Sequence, residues 1–128
     1  MKTIQGPSLH LAQFAADTAP FNTLPAIAEW AAGMGFKALQ IPAWDARLFD
    51  VAQAAHSQQY CDDLVAMLAG HGLVISELTT HILGQLVAVH PAYDALCDSF
   101  APAHLHGQPA ARTAWAIEQV KLAAMASK

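Results

Sequence analysis

The strongest constraint on the fold is a regular alternation between short apolar runs, typical of strands, and longer amphipathic segments, typical of helices. Extended segments are predicted at 8–14, 37–44 and 73–80, with centres about thirty residues apart. This spacing is typical of right-handed βαβ units, in which helices connect parallel strands. The sequence therefore predicts the α/β class with a parallel sheet.

Two helices between these strands have clear boundaries. The first is predicted over 24–34, because Pro25 stands at its start and glycines follow its end. The second is predicted to begin after Ser57, which is a good N-cap, and to end at a pair of glycines. An alanine-rich helix is predicted from about residue 109, after a long loop over 81–108. Loops of that length are usually functional, so we expect this one to serve a site.

The size and composition predict one domain, 1–128, that is part of something larger. Charged residues make up only 12% of the chain, against an average of about 25%. Three helices are too few to cover both faces of a parallel sheet, and the sheet would have two open edges. We therefore expect a truncated fold whose exposed edges and apolar surface promote homo-oligomerisation or aggregation.

Charge and missing motifs exclude several classes of function. The net charge is -4 and the six Lys and Arg residues are scattered, so we expect no nucleic-acid partner. No apolar run is long enough to span a bilayer, and the start lacks a signal-peptide pattern, so we expect a cytoplasmic protein without a membrane partner. Cys61 and Cys97 lack CxxC spacing, and we expect reduced thiols. The sequence also lacks the P-loop, GxGxxG, GxSxG and HExxH motifs. Their absence argues against P-loop nucleotide binding, Rossmann dinucleotide binding, an α/β-hydrolase and a zincin.

The sequence resembles the N-terminal part of the sugar phosphate isomerase/epimerase family in three stretches, namely LAQF at 11–14, PFNTLPAIAEWAAGMGFKALQIPAWD at 20–45 and ELTTHILGQLVAVHPAYD at 77–94. Members of this family are xylose isomerase-like (β/α)8 TIM barrels. The resemblance implies that this chain supplies about the first three βα units of such a barrel.

The resemblance also implies an activity and a cofactor. The activity is metal-dependent proton transfer next to a carbonyl of a sugar or sugar phosphate, in carbohydrate metabolism. The cofactor is a divalent cation, Mn²⁺ or Mg²⁺, which polarises substrate oxygens. In the family its ligands come from later strands, so no residue of this chain is assigned as a metal ligand.

Active sites of TIM barrels lie at the carboxyl ends of the strands, where the resemblance directs attention to six side chains. Gln13, Trp44 and Asp45 are expected to bind substrate, as is Gln85 in the loop HILGQLV. His81 and Glu77 are expected to be catalytic, because an imidazole that titrates near neutrality can hydrogen-bond or protonate a sugar oxygen.

Each of these side chains also has a structural interpretation. His81 is alternatively a cap at the strand end, and Asp45 alternatively caps the next turn. Trp44 is either an apolar wall for a sugar or part of the core. Glu77 is either a buried acid with a shifted pKa or a structural carboxylate bonded across the strands. Gln85 is either a hydroxyl-binding amide or a solvated loop residue.

Along the third strand, a period of two predicts which side chains share a face. Ile75, Glu77, Thr79 and His81 fall on one face, and Val74, Ser76 and Leu78 fall on the other. If Leu78 packs against helices, Glu77 and His81 point into the barrel.

Two other hypotheses stand beside the isomerase. One is an inactive truncated barrel or assembly module without enzymatic activity. The other is an apurinic-site endonuclease with the same fold, which the acidic charge balance disfavours. His104 and His106 have HxH spacing, but without a third ligand nearby we interpret them as surface histidines.

Overall fold

A computed structural model describes residue 3 and residues 5–128 of the chain. In this part, β1 (Ser8–His10), β2 (Ala38–Pro42) and β3 (Val74–Thr79) form one parallel sheet in the order β1-β2-β3. The predicted α/β class with a parallel sheet is confirmed.

Six α-helices accompany the sheet in the described part of the chain: α1 (Leu24–Gly33), α2 (Val51–His56), α3 (Gln58–Gly70), α4 (His81–Gln85), α5 (Asp94–Cys97) and α6 (Pro109–Ala126). Proline occupies the first turn of α1 and of α6, where a missing N–H breaks no hydrogen bond. The hydroxyl of Ser57 accepts a hydrogen bond from the backbone N–H of Tyr60 and so caps α3. The three helices predicted from the sequence are confirmed. No helix among them is both long and apolar enough to cross a membrane.

The first strand is shorter than the predicted 8–14, and a helix between β2 and α3 was missed. After His10 the chain turns into a 3-10 turn, Leu11–Gln13, because the N–H groups of Phe14 and Ala15 both donate to the carbonyl of Leu11. The missed helix is α2, which Asp50 caps by accepting a hydrogen bond from the N–H of Gln53.

The segment predicted as a long loop, 81–108, is folded into α4, α5 and short 3-10 turns. The side chain of Arg112, on α6, is fully buried beside this segment. It donates to the carbonyl of Asp94 at 2.8 Å, to the Asp94 carboxylate at 2.5 Å and to the Asp98 carboxylate at 2.5 Å. A buried guanidinium needs such partners, and here they hold the segment against α6.

The hydrophobic core lies on one face of the sheet, against α1, α2 and α3. Its fully buried strand residues are Leu39 and Ile41 on β2, and Ile75 and Leu78 of β3 pack against it. The predicted alternation, which put Ile75 on the face of Glu77, is therefore wrong. A β-bulge is the reason, since Leu39 pairs with Ile75 but the next residue of β2 pairs with Glu77.

Candidate functional site

The sheet face opposite the core carries three polar side chains in one register row. His10 on β1 pairs with Gln40 on β2, and Gln40 pairs with Glu77 on β3. We call these three residues the polar row. On the same face, the hydroxyls of Ser8 and Ser76 form a hydrogen bond of 2.6 Å across the middle strand. One face of the sheet is thus apolar and covered, while the other is polar and open.

An aromatic cluster, formed by His10, Trp44 and His81, lies at the carboxyl end of the sheet. The ring centroids of Trp44 and His81 are 4.7 Å apart with an interplanar angle of 81°. Those of His10 and His81 are 5.7 Å apart at 78°. Both pairs have the edge-to-face geometry that aromatic rings prefer. His81 is exposed and Trp44 is half-buried, so both rings are at least partly accessible to solvent.

Asp45 is engaged by a neighbouring arginine. Arg47 donates to the Asp45 carboxylate through Nε at 2.9 Å and Nη2 at 2.6 Å, and to Asp17 through Nη1 at 2.7 Å. The hydrogen bonds from the Arg47 side chain hold the pKa of Asp45 below its usual range. Of the two roles considered for Asp45, this geometry supports the turn-capping one, because the carboxylate oxygens already have donors.

Glu77 is exposed, which corrects its interpretation as a buried acid, and its carboxylate makes no hydrogen bond across the strands to another described residue. The physical reason is that β3 is an edge strand in the described sheet and Glu77 is on its open face. Gln13, at the end of the 3-10 turn after β1, and Gln85, at the end of α4, are also exposed. Within the described residues, no hydrogen bond or ring contact joins either glutamine to the aromatic cluster.

Sequence reasoning missed His10 and Gln40. The predicted strand 8–14 placed the first carboxyl end at Gln13, but the strand ends at His10, so His10 takes that position. The available signal was a polar residue inside a short apolar run, SLHLAQF, which is unusual for a strand buried on both faces.

Trp44 also lines a small cavity on its other side. This cavity has a volume of about 210 Å³, and Leu83 and Trp115 contribute to its wall. A separate cavity of about 330 Å³ lies between α3 and β3, and its wall includes the apolar Leu64 and Ile75 as well as the polar Glu77. Neither cavity contains His81, so the aromatic cluster is an open surface site.

The resemblance assigns none of the ligands of its divalent cation to this chain. Within residue 3 and residues 5–128, no three His, Cys, Asp or Glu side chains come together as metal ligands. A catalytic metal centre needs about three protein ligands.

Comparison with known proteins adds no relative to this picture. No protein-family model matches the chain, and no curated protein matches it with statistical significance. The resemblance of the three sequence stretches therefore remains a prediction, and the geometry of the aromatic cluster carries the functional argument.

Proposed function

We propose that this chain supplies the first βα units of a TIM-barrel isomerase or epimerase that acts on a sugar or sugar phosphate. The reaction is proton transfer next to a carbonyl. The observation that carries the proposal is the contact of 4.7 Å between the rings of Trp44 and His81 at the carboxyl end of a parallel sheet. In α/β folds this end of the sheet is where ligands bind.

The two rings supply the two contacts that a sugar needs. A tryptophan face packs against the C–H groups of a sugar, and an imidazole hydrogen-bonds a hydroxyl or carbonyl oxygen. His81 is exposed and its ring is fixed on two sides by aromatic neighbours, so it is held in place for proton transfer to a substrate oxygen. Glu77, on the open face of β3 and four residues before His81, is the carboxylate available as a second acid or base.

The setting of the reaction in the cytoplasm belongs to the same proposal. Cys61 and Cys97 are both free thiols. Free thiols are usual in the reducing cytoplasm, where sugar phosphates are metabolised.

The proposal is tested by titrating the ¹⁵N-labelled chain with D-fructose and D-fructose 6-phosphate. The indole N–H signal of Trp44 is expected to shift, and Trp44→Leu is expected to weaken binding at least about tenfold, since the sugar loses its apolar wall. Trp30→Phe is the control, because Trp30 packs against Phe14 and Phe21 in the core. An unmoved Trp44 signal at saturating sugar contradicts the proposal.

A second candidate function is an assembly module without enzymatic activity. An apolar stripe favours it: Tyr93, Leu96 and Phe100 are exposed at spacings of three and four residues. The acidic residues between them, Asp94 and Asp98, form ion pairs with Arg112. Exposed apolar patches are typical of association surfaces. Light scattering coupled to size-exclusion chromatography is expected to show oligomers that Leu96→Lys disperses, and a monomeric wild-type chain contradicts this candidate.

A further inference from the structure

The open face of the sheet is unusual for a parallel sheet. Such sheets are normally covered on both faces by apolar layers. Here the core and α1, α2 and α3 cover one face, while the other carries the polar row and the bonded Ser8–Ser76 pair. A face of this kind is unsuited to an apolar layer and suited to a polar cavity that holds water or a hydroxylated ligand.

His10 shows a second feature that points to a ligand. Its Nε2 atom is buried and has no hydrogen-bond partner. Among the described residues the only other side-chain atom in this state is Nε of Arg112, whose guanidinium already donates three hydrogen bonds. A buried polar atom without a partner destabilises the folded chain, so it calls for an explanation in a native structure.

We propose that His10 and Gln40 bind hydroxyl groups of a linear polyol or open-chain sugar, in a site that runs down the open face from the aromatic cluster. This inference rests on the proposed function and extends its site onto β1 and β2. Because Nε2 is buried while the His10 side chain as a whole is only partly buried, binding requires the ring to turn this nitrogen toward the open face. A hydroxyl both donates and accepts, and it therefore pairs with this nitrogen in either tautomer of the imidazole.

The dimensions of the polar row agree with a ligand of this class. Adjacent strands lie about 4.8 Å apart, so the backbones of β1 and β3 are roughly 10 Å from each other with β2 between them. Side chains of the two outer strands converge on the open face, since the hydroxyls of Ser8 and Ser76 meet there. One open chain of five or six hydroxylated carbons therefore suffices to contact His10, Gln40 and Glu77 together. Gln40 is half-buried, and its amide makes no hydrogen bond to another described residue.

The experiment uses xylitol, a linear five-carbon polyol, and follows the ring signals of His10 and His81 together with the indole signal of Trp44 by NMR. Two properties of His10→Phe are measured, its affinity for xylitol and its melting temperature. Phenylalanine keeps a ring against His81 but removes both nitrogens. His104→Phe is the matched control, because His104 is exposed and lies outside the sheet.

We expect xylitol to shift the His10 signals and His10→Phe to weaken binding at least about fivefold, the loss typical of one hydrogen bond. We also expect His10→Phe to raise the melting temperature, since it removes the unpaired nitrogen. The control, His104→Phe, is expected to change neither the affinity for xylitol nor the melting temperature. The melting result tests the unpaired nitrogen whether or not any sugar binds.

The outcomes separate this inference from the proposed function. If xylitol shifts the Trp44 and His81 signals but binds His10→Phe as tightly as the unmodified chain, the extension onto the open face is wrong and the proposed function stands. A lowered melting temperature of His10→Phe means that Nε2 has a structural partner, and it also overturns the inference. If xylitol shifts none of the three rings, both proposals fail.

Discussion

The sheet with α1 to α3 and the segment from α4 to α6 depend to different degrees on polar contacts. In the first region, apolar side chains such as Leu39 and Ile41 are fully buried between strands and helices. In the second, Leu86 and Ala116 are also fully buried, but the short turns are attached to α6 by one buried arginine and two carboxylates. Burial of apolar area is spread over many contacts, whereas a buried ion pair depends on each partner. Substitutions should therefore destabilise the two regions in different ways.

The largest effect is expected from a cavity in the first region. Ile41→Ala should lower the free energy of unfolding by about 2–5 kcal/mol, because it removes a fully buried side chain. Val65→Ala is the control, since Val65 is 55% exposed, and its effect should stay within about 0.5 kcal/mol. Chemical denaturation measures both variants. Equal effects of the two would contradict the assigned core.

Removing the arginine should loosen the second region and leave the first intact. Arg112→Met is expected to lower the melting temperature by roughly 10 °C, because Asp94 and Asp98 lose their cation. Hydrogen exchange should accelerate in 91–106 and not in the three strands. Arg112→Lys should be intermediate, since an ammonium cannot repeat the guanidinium geometry. Uniform acceleration along the chain would show that the two regions are not separate.

Acid should affect the second region through Asp98. The hydrogen bond from the Gly107 N–H, with a further contribution from Arg112, holds the pKa of Asp98 below its usual range. A lowered pKa in the folded state stabilises the fold above the unfolded value of about 3.9, and this contribution disappears as pH falls through the folded value.

Asp98→Asn tests this dependence. The variant should be less stable than the unmodified chain at neutral pH, and the difference should shrink below about pH 4. Glu29→Gln, at an exposed position of helix α1, is the control and should show no such convergence. Melting temperatures from pH 7 to pH 2.5 measure the effect. A gap between Asp98→Asn and the unmodified chain that is constant over this range would show that Asp98 makes no charge-dependent contribution.

The smallest effect is expected at the exposed ion pairs of Arg47. Arg47→Gln should change the free energy of unfolding by less than about 1 kcal/mol, because solvent and salt screen exposed pairs. High salt should remove any remaining difference in the free energy of unfolding between Arg47→Gln and the unmodified chain. A loss of several kcal/mol in chemical denaturation would mean that the Asp17–Arg47–Asp45 contacts hold the two loops together.

The difference between the sheet region and the segment from α4 to α6 also explains how much of the molecule could be predicted from sequence. Periodic apolar residues, Pro25 and Ser57 located α1 and α3, because helix faces and caps are local signals. The bulge in β3 could not be found, since the alternation of side chains does not reveal an inserted residue. The turns in 81–108 were missed because they depend on Arg112, which joins them from a distant helix.

The candidate site was predicted in part for a similar reason. Trp44 and His81 were identified at the ends of their strands, and the structure brings their rings together. His10 and Gln40 were missed, because their importance depends on the register between strands and on where β1 ends. These are properties of the folded sheet and not of the local sequence.

The most direct test of the proposed site is to compare ligand affinity and stability in His81→Ala. D-fructose 6-phosphate is titrated into the unmodified chain and the variant by calorimetry, and both are melted. We predict that the variant loses at least about tenfold in affinity while its melting temperature changes by only a few degrees, because His81 is exposed. Unchanged affinity, or a loss of affinity matched by a large loss of stability, would contradict a ligand site at His81 and Trp44.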